Sequence, residues 1–216
     1  MLGLTRSPVF RTTAVMASAG ALALSGVVAS AGAASAGTAA DTKIKATYPV
    51  TGSTFIKAPN FTLPLGPGTL SSTVNVITGN LTANLSLPPA TGSFKQFGLI
   101  PVTATTQFIN AAPTTGKINL RTGAIHSTSK ITLHIVSLTV AGLPIPVGSS
   151  CETSTPAVVS VASQPGFSIL KGGKLAGSYS IPQFANCGLA TALINLTIPG
   201  PGNTLTLTLG KPTFGR

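Results

Sequence analysis

The side chains best suited to acid–base, nucleophilic or metal chemistry here are Asp41, Glu152, His126, His134, Cys151 and Cys187. Glycoside hydrolysis needs two positioned carboxylates, and only Asp41 and Glu152 are available, the former in a stretch that reads as a loose N-terminal tail. A calcium or magnesium cage wants several carboxylates and meets the same shortage. A Ser-His-acid triad would have to recruit one of these two acids. His126 and His134 are eight positions apart. On one regular strand they share a face but stand roughly 26 Å from each other. Each lies among Thr and Lys, as surface histidines do. No Gly-rich segment leads into the Lys-Ser/Thr of a phosphate loop. The expectation is a protein that is not an enzyme and has no catalytic, cofactor or metal site.

The first forty residues read as an address. Met1 to Thr13 carries Arg6 and Arg11 and no acid, and Ala14 to Ala29 follows as an apolar run broken only by small residues. Ala34-Ser35-Ala36 fits the small-x-small pattern of signal-peptide cleavage, with Ala29-Ser30-Ala31 as the competing site. A membrane-spanning helix needs about 20 strongly apolar residues, more than this Ala-, Ser- and Gly-rich run offers. Residues 1–36 are therefore expected to be a cleaved secretory signal and 37–216 a single secreted domain. The C-terminal Lys211-Pro-Thr-Phe-Gly-Arg216 has no apolar tail, so no stable membrane anchor is expected.

Export changes how the cysteines read. An even pair outside the cytosol is usually a disulfide, so Cys151 and Cys187 are expected to be bonded. The competing readings are two free thiols or half of a metal site, the latter with only His126 and His134 left to complete it.

The elements that must position these residues are strands. Ile44, Ala46, Tyr48 and Val50 alternate with Lys43, Lys45 and Thr47. Leu81, Ala83, Leu85 and Leu87 alternate with Asn80, Thr82, Asn84 and Ser86, and a third such run spans 100–108. This is the period of a strand with one buried and one wet face. Gly66-Pro67-Gly68, Pro88-Pro89, Thr114-Thr115-Gly116, Gly172-Gly173 and Gly200-Pro201-Gly202-Asn203 read as turns between strands, and their spacing favours an antiparallel sandwich or barrel. In the run Ala124 to Val147 the apolar set changes parity, from Ile131, Leu133 and Ile135 to Val136, Leu138 and Val140. One residue of slip exchanges the two faces, so a bulge near Ile135–Ser137, or a crossing between sheets, is required. The predicted fold is an all-β, antiparallel two-sheet sandwich of jelly-roll or Greek-key type with one disulfide. Its last hairpin pairs Ile194, Leu196 and Ile198 with Leu205, Leu207 and Leu209. That arrangement turns Asn195, Thr197, Thr204, Thr206 and Thr208 outward as a candidate binding face. Only Gly188 to Leu193 reads as a short helical turn.

Composition sets the class of partner. The chain has 216 residues with 13 Lys+Arg against 2 Asp+Glu, and only 7% charged residues, against about 25% in a typical soluble domain. Its apolar content excludes an intrinsically disordered chain. Removing Arg6 and Arg11 leaves eleven positive and two negative groups, near +9. The positives are scattered and lack the interleaved aromatics of a nucleic-acid reader, so no nucleic-acid partner is expected. The net charge does favour attraction to an anionic surface or polymer.

Val136-Ser-Leu-Thr-Val-Ala-Gly-Leu-Pro-Ile-Pro-Val147, Cys151-Glu-Thr-Ser-Thr-Pro156, Tyr179-Ser-Ile-Pro-Gln-Phe-Ala-Asn-Cys187-Gly and Ile198-Pro-Gly-Pro-Gly-Asn-Thr204 form a framework. It resembles a family of secreted actinobacterial β-rich proteins of unknown function, over residues 99–210. The resemblance implies an all-β secreted or envelope-associated module with one disulfide, and no activity for any residue. The expected function is a non-catalytic structural or adhesive module of the cell envelope. The alternative is a binding module for an anionic or carbohydrate wall component. Expected partners are a cell-wall polymer, a carbohydrate or another envelope protein.

Overall fold

Thr, Val, Ile and Leu in alternation suit a pleated surface with one wet face, and thirteen strands form among the described residues. The computed structural model describes residues 42–215, so the predicted signal segment lies outside the described residues. The strands are β1 (Lys43–Ile56), β2 (Phe61–Asn75), β3 (Asn80–Ser86), β4 (Ala90–Gln96), β5 (Ile100–Ile118), β6 (Ile125–Val140) and β7 (Leu143–Ile145). They continue as β8 (Glu152–Thr153), β9 (Ala157–Ser163), β10 (Gly173–Ile181), β11 (Phe184–Ala185), β12 (Gly200–Leu209) and β13 (Thr213–Gly215), with one helix, α1 (Ala190–Thr197), before β12.

The pairing closes on itself. Each of β1, β2, β3, β5, β6, β9, β10 and β12 pairs antiparallel with the next, and β12 pairs back with β1. The result is an eight-strand up-and-down barrel, in place of the two-sheet jelly-roll or Greek-key sandwich that the sequence pattern suggested. Closure leaves no long unpaired edge among these eight strands. Pairs can be followed once around the wall, from Lys45 through Thr73, Thr82, Thr115, Thr128, Ser160, Ser178 and Thr204. The path re-enters β1 at Phe55, ten residues beyond its start. That stagger is the shear that tilts the strands of a closed barrel, typically by about 35–45°.

Several predicted turns are bulges inside long strands. Gly66-Pro67-Gly68 lies within β2, where the register with β1 shifts between Val50 and Gly52. Thr114-Thr115-Gly116 lies within β5, next to register shifts at Ala112 and Thr115. Glycine is required at Gly66 by its φ of +86°, a conformation that side chains with a Cβ rarely adopt. Bulges bend strands and so help a sheet to close. The parity change in β6 is also a bulge: Thr105 pairs with Ser137 and Thr106 with Ile135, leaving Val136 unpaired and exposed.

Both ends of the barrel are plugged. At the upper end, where β1 finishes, Ala190 and Ile194 of α1 and the Cys151–Cys187 pair share a core cluster with Ile135, Ile181 and Phe184. At the lower end, where β1 begins, the 164–172 loop turns Phe167 and Ile169 inward. The Tyr48 hydroxyl ties that loop down by donating to the Ile169 carbonyl at 2.9 Å.

The helix replaces the first strand of the predicted last hairpin. Ala190 and Ile194 are buried while Leu196 is 71% exposed, so the buried spacing is i, i+4 and the period is helical. Gly188, at φ +58°, turns the chain into it, and Thr191 closes the first turn by donating to the Gly188 carbonyl at 2.8 Å.

Candidate functional site

The outer wall carries the largest feature. Thr73, Thr82, Thr115, Thr128, Ser160, Ser178 and Thr204 come from seven successive strands of the barrel and sit opposite one another in register. All but the half-buried Thr73 are exposed. Neighbouring strands lie about 4.8 Å apart, so the hydroxyls form a continuous row across the wall. Thr128 and Ser160 are close enough to bond at 3.3 Å. Further hydroxyl pairs, Thr91–Thr105 and Ser93–Thr103, stand on the β4–β5 ribbon at 2.8 Å each.

Part of this row sinks into an open trough of about 690 Å³ crossing β3, β5, β6, β9 and β10. Gly116, Ala162, Ala176 and Gly177, with little or no side chain, are among its lining residues. Backbones approach closely beneath it: a Cβ at Gly177 would run into the Ser160 carbonyl, and one at Gly116 into the His126 carbonyl. The ionisable groups on its border are Lys117 and His126, which are paired across β5 and β6. The volume lies in the range of small-molecule sites. The lining of hydroxyls, an Asn80 amide and two basic groups suits a polar ligand that is neutral or anionic.

The predicted face is divided by the fold. Thr204, Thr206 and Thr208 are exposed on β12, where they flank the trough through their pairing with Ser178, Ala176 and Lys174. Asn195 and Thr197 stand elsewhere, on α1. Asn195 is a strut: its Oδ1 accepts from the Phe184 N–H at 2.7 Å and its Nδ2 donates to the Phe184 carbonyl at 2.9 Å. Thr197 donates back to the Leu193 carbonyl at 2.9 Å. Those two residues therefore do not belong to a common binding face with the β12 threonines.

The disulfide forms between Cys151 and Cys187, with both cysteines fully buried. Asp41 lies outside the described residues. Both histidines point outward on β6. His134 Nδ1 lies 3.4 Å from Gln107 Oε1, its Nε2 is enclosed without a hydrogen-bond partner, and its cross-strand neighbour is Glu152. Among the described residues no three of His, Cys, Asp and Glu come together in a way that would hold a metal ion. Among the described residues no hydroxyl is bonded to either histidine.

The interior is mostly apolar. Three small voids of about 70, 60 and 40 Å³ lie along it. Several polar groups facing them are satisfied from within: Thr54 donates to the Thr204 carbonyl at 2.9 Å and meets the Tyr179 hydroxyl at 2.6 Å, and Asn110 donates to the Leu85 carbonyl at 2.7 Å. Burial raises the pKa of both Tyr48 and Tyr179 above the ordinary 10.0. For Tyr179 the Thr54 hydroxyl works in the opposite sense, because it can rotate to donate to a phenolate.

No protein-family model matches the sequence, and neither a curated protein nor a solved structure is significantly similar to it.

Proposed function

We propose that the protein is a non-catalytic module of the secreted or cell-envelope class, structural or adhesive in role, that acts through its outer β surface. The observation that carries this reading is the in-register row of hydroxyls and the trough it enters. These are polar, nearly uncharged groups held on a rigid closed wall. A rigid array loses little conformational entropy when a ligand binds. The same surface favours the more specific reading, engagement of a carbohydrate or an anionic wall polymer, because Lys117 and His126 border the trough and the chain is strongly basic. The buried disulfide is compatible with an extracellular setting.

Retention on purified, lipid-free cell-wall material tests this. The double variant Thr128→Glu/Ser160→Glu fills the trough and repels anions without touching the core, and it should lower retention at least tenfold. Unchanged retention would reduce the trough to solvated surface.

A further inference from the structure

The lower end of the barrel is built unlike the wall. Its three hairpin turns, Asn75–Gly79, Asn119–Gly123 and Ser168–Gly172, share one design. In each, the last glycine donates to the carbonyl of the first residue, at 2.9, 2.7 and 2.7 Å. Those glycines have φ of +70°, +75° and +83°. In each, the first side chain caps the turn from inside. Asn75 Oδ1 accepts from the Ile77 and Thr78 N–H groups, Asn119 Oδ1 accepts from those of Arg121 and Thr122, and Ser168 Oγ accepts from that of Leu170. Two of the turns read Asn-x-x-Thr-Gly in sequence.

Turn tips normally carry polar residues. These rigid tips instead display Ile77 (69% exposed), Leu120 (51%) and Leu170 (66%). They belong to one rim. Ile118 donates to the Gly79 carbonyl at 2.8 Å, Leu120 lies against Gly79, and Ile169 packs on Val74, Leu81 and Ile118. Leu120 and Leu170 are each followed directly by a cation, Arg121 and Lys171. Lys45, Lys117, Lys174 and Lys211 are also exposed toward this end. The single carboxylate among the described side chains, Glu152, sits on β8 near the opposite end.

We propose that this rim docks reversibly on an anionic lipid bilayer, with Ile77, Leu120 and Leu170 entering the headgroup layer and the surrounding Lys and Arg meeting lipid phosphates. A soluble polyanion would use the cations but leave three held-out aliphatic side chains without a role. A bilayer interface uses both. The inference does not rest on the trough: Lys117 borders both, but the aliphatic tips Ile77, Leu120 and Leu170 and the cations Arg121 and Lys171 lie outside the trough lining.

The chain contains no Trp, so a single introduced one is an unambiguous reporter. With full-length Leu120→Trp, emission should shift to the blue on adding phosphatidylglycerol vesicles and stay unchanged with phosphatidylcholine vesicles. Phe97→Trp, at the upper end, should shift with neither. Vesicle co-sedimentation should fall at least tenfold in Ile77→Asp/Leu120→Asp/Leu170→Asp. In Arg121→Gln/Lys171→Gln it should fall about fivefold for each cation removed. All these variants should keep wild-type wall retention. A blue shift at Phe97→Trp but not at Leu120→Trp, equal binding to neutral vesicles, or no vesicle binding at all would overturn the proposal. Binding to dextran sulfate as tight as to vesicles, and indifferent to the three aspartates, would overturn it in favour of a polyanion site.

Discussion

Cys151 and Cys187 meet at the upper end of the barrel and close a covalent loop, with a sequence separation of 36, that includes β9 and β10 of the wall. Opening it frees that loop in the unfolded chain, at a cost of about 3–4 kcal/mol if loop entropy dominates. Cys187→Ser should lose that much in chemical denaturation. The two buried tyrosines give a second residue-scale expectation. A group whose pKa is higher folded than unfolded keeps its proton longer in the native state, so stability holds below the unfolded value and falls as pH rises toward the folded one. Tyr48 and Tyr179 are of this kind. Denaturation midpoints should therefore fall as pH climbs past about 10. In Tyr48→Phe/Tyr179→Phe the alkaline slope should be shallower, and an equal slope would assign alkaline loss to other groups.

At the scale of elements, α1 separates two readings of one segment. On an outward strand face Asn195 would be dispensable. On the helix it satisfies both backbone groups of Phe184. Asn195→Ala should cost about 2 kcal/mol, because a partly buried N–H and C=O lose their partner, whereas Thr206→Ala on the wall should stay within about 0.5 kcal/mol. Strand alternation was readable because it is a local property: β1, β3 and β6 fall where their apolar residues alternate, and the parity change in β6 required either a crossing between sheets or the bulge that forms. The 194–198 alternation misled because Ile194, Leu196 and Ile198 satisfy a period of two by residue type, and only tertiary packing shows Leu196 in water. Glycine and proline misled in the same way. In β2 and β5 they mark bulges in continuous strands, and local chemistry does not distinguish a bulge from a turn when the partner strand is unknown.

At the scale of the molecule, closure is what no local pattern contains. β1 and β12 join across most of the described chain, with Val50 opposite Leu209 and Phe55 opposite Thr204. Register decides the site as well. Thr128, Ser160 and Ser178 are each an ordinary outward residue of its own strand, and they become a row only when the β6–β9 and β9–β10 pairings fix their relative stagger. The β12 threonines were found from alternation, while the trough beside them depended on small residues from three separate strands, β5, β9 and β10. The central claim is that this trough is the surface through which the protein meets its ligand. Amide chemical-shift mapping with soluble cell-wall fragments tests it most directly. The prediction is perturbation concentrated on residues 115–117, 126–128, 160–162 and 176–178. Perturbation confined to the upper end around Phe97 and Leu99, or none at saturating fragment, would contradict it.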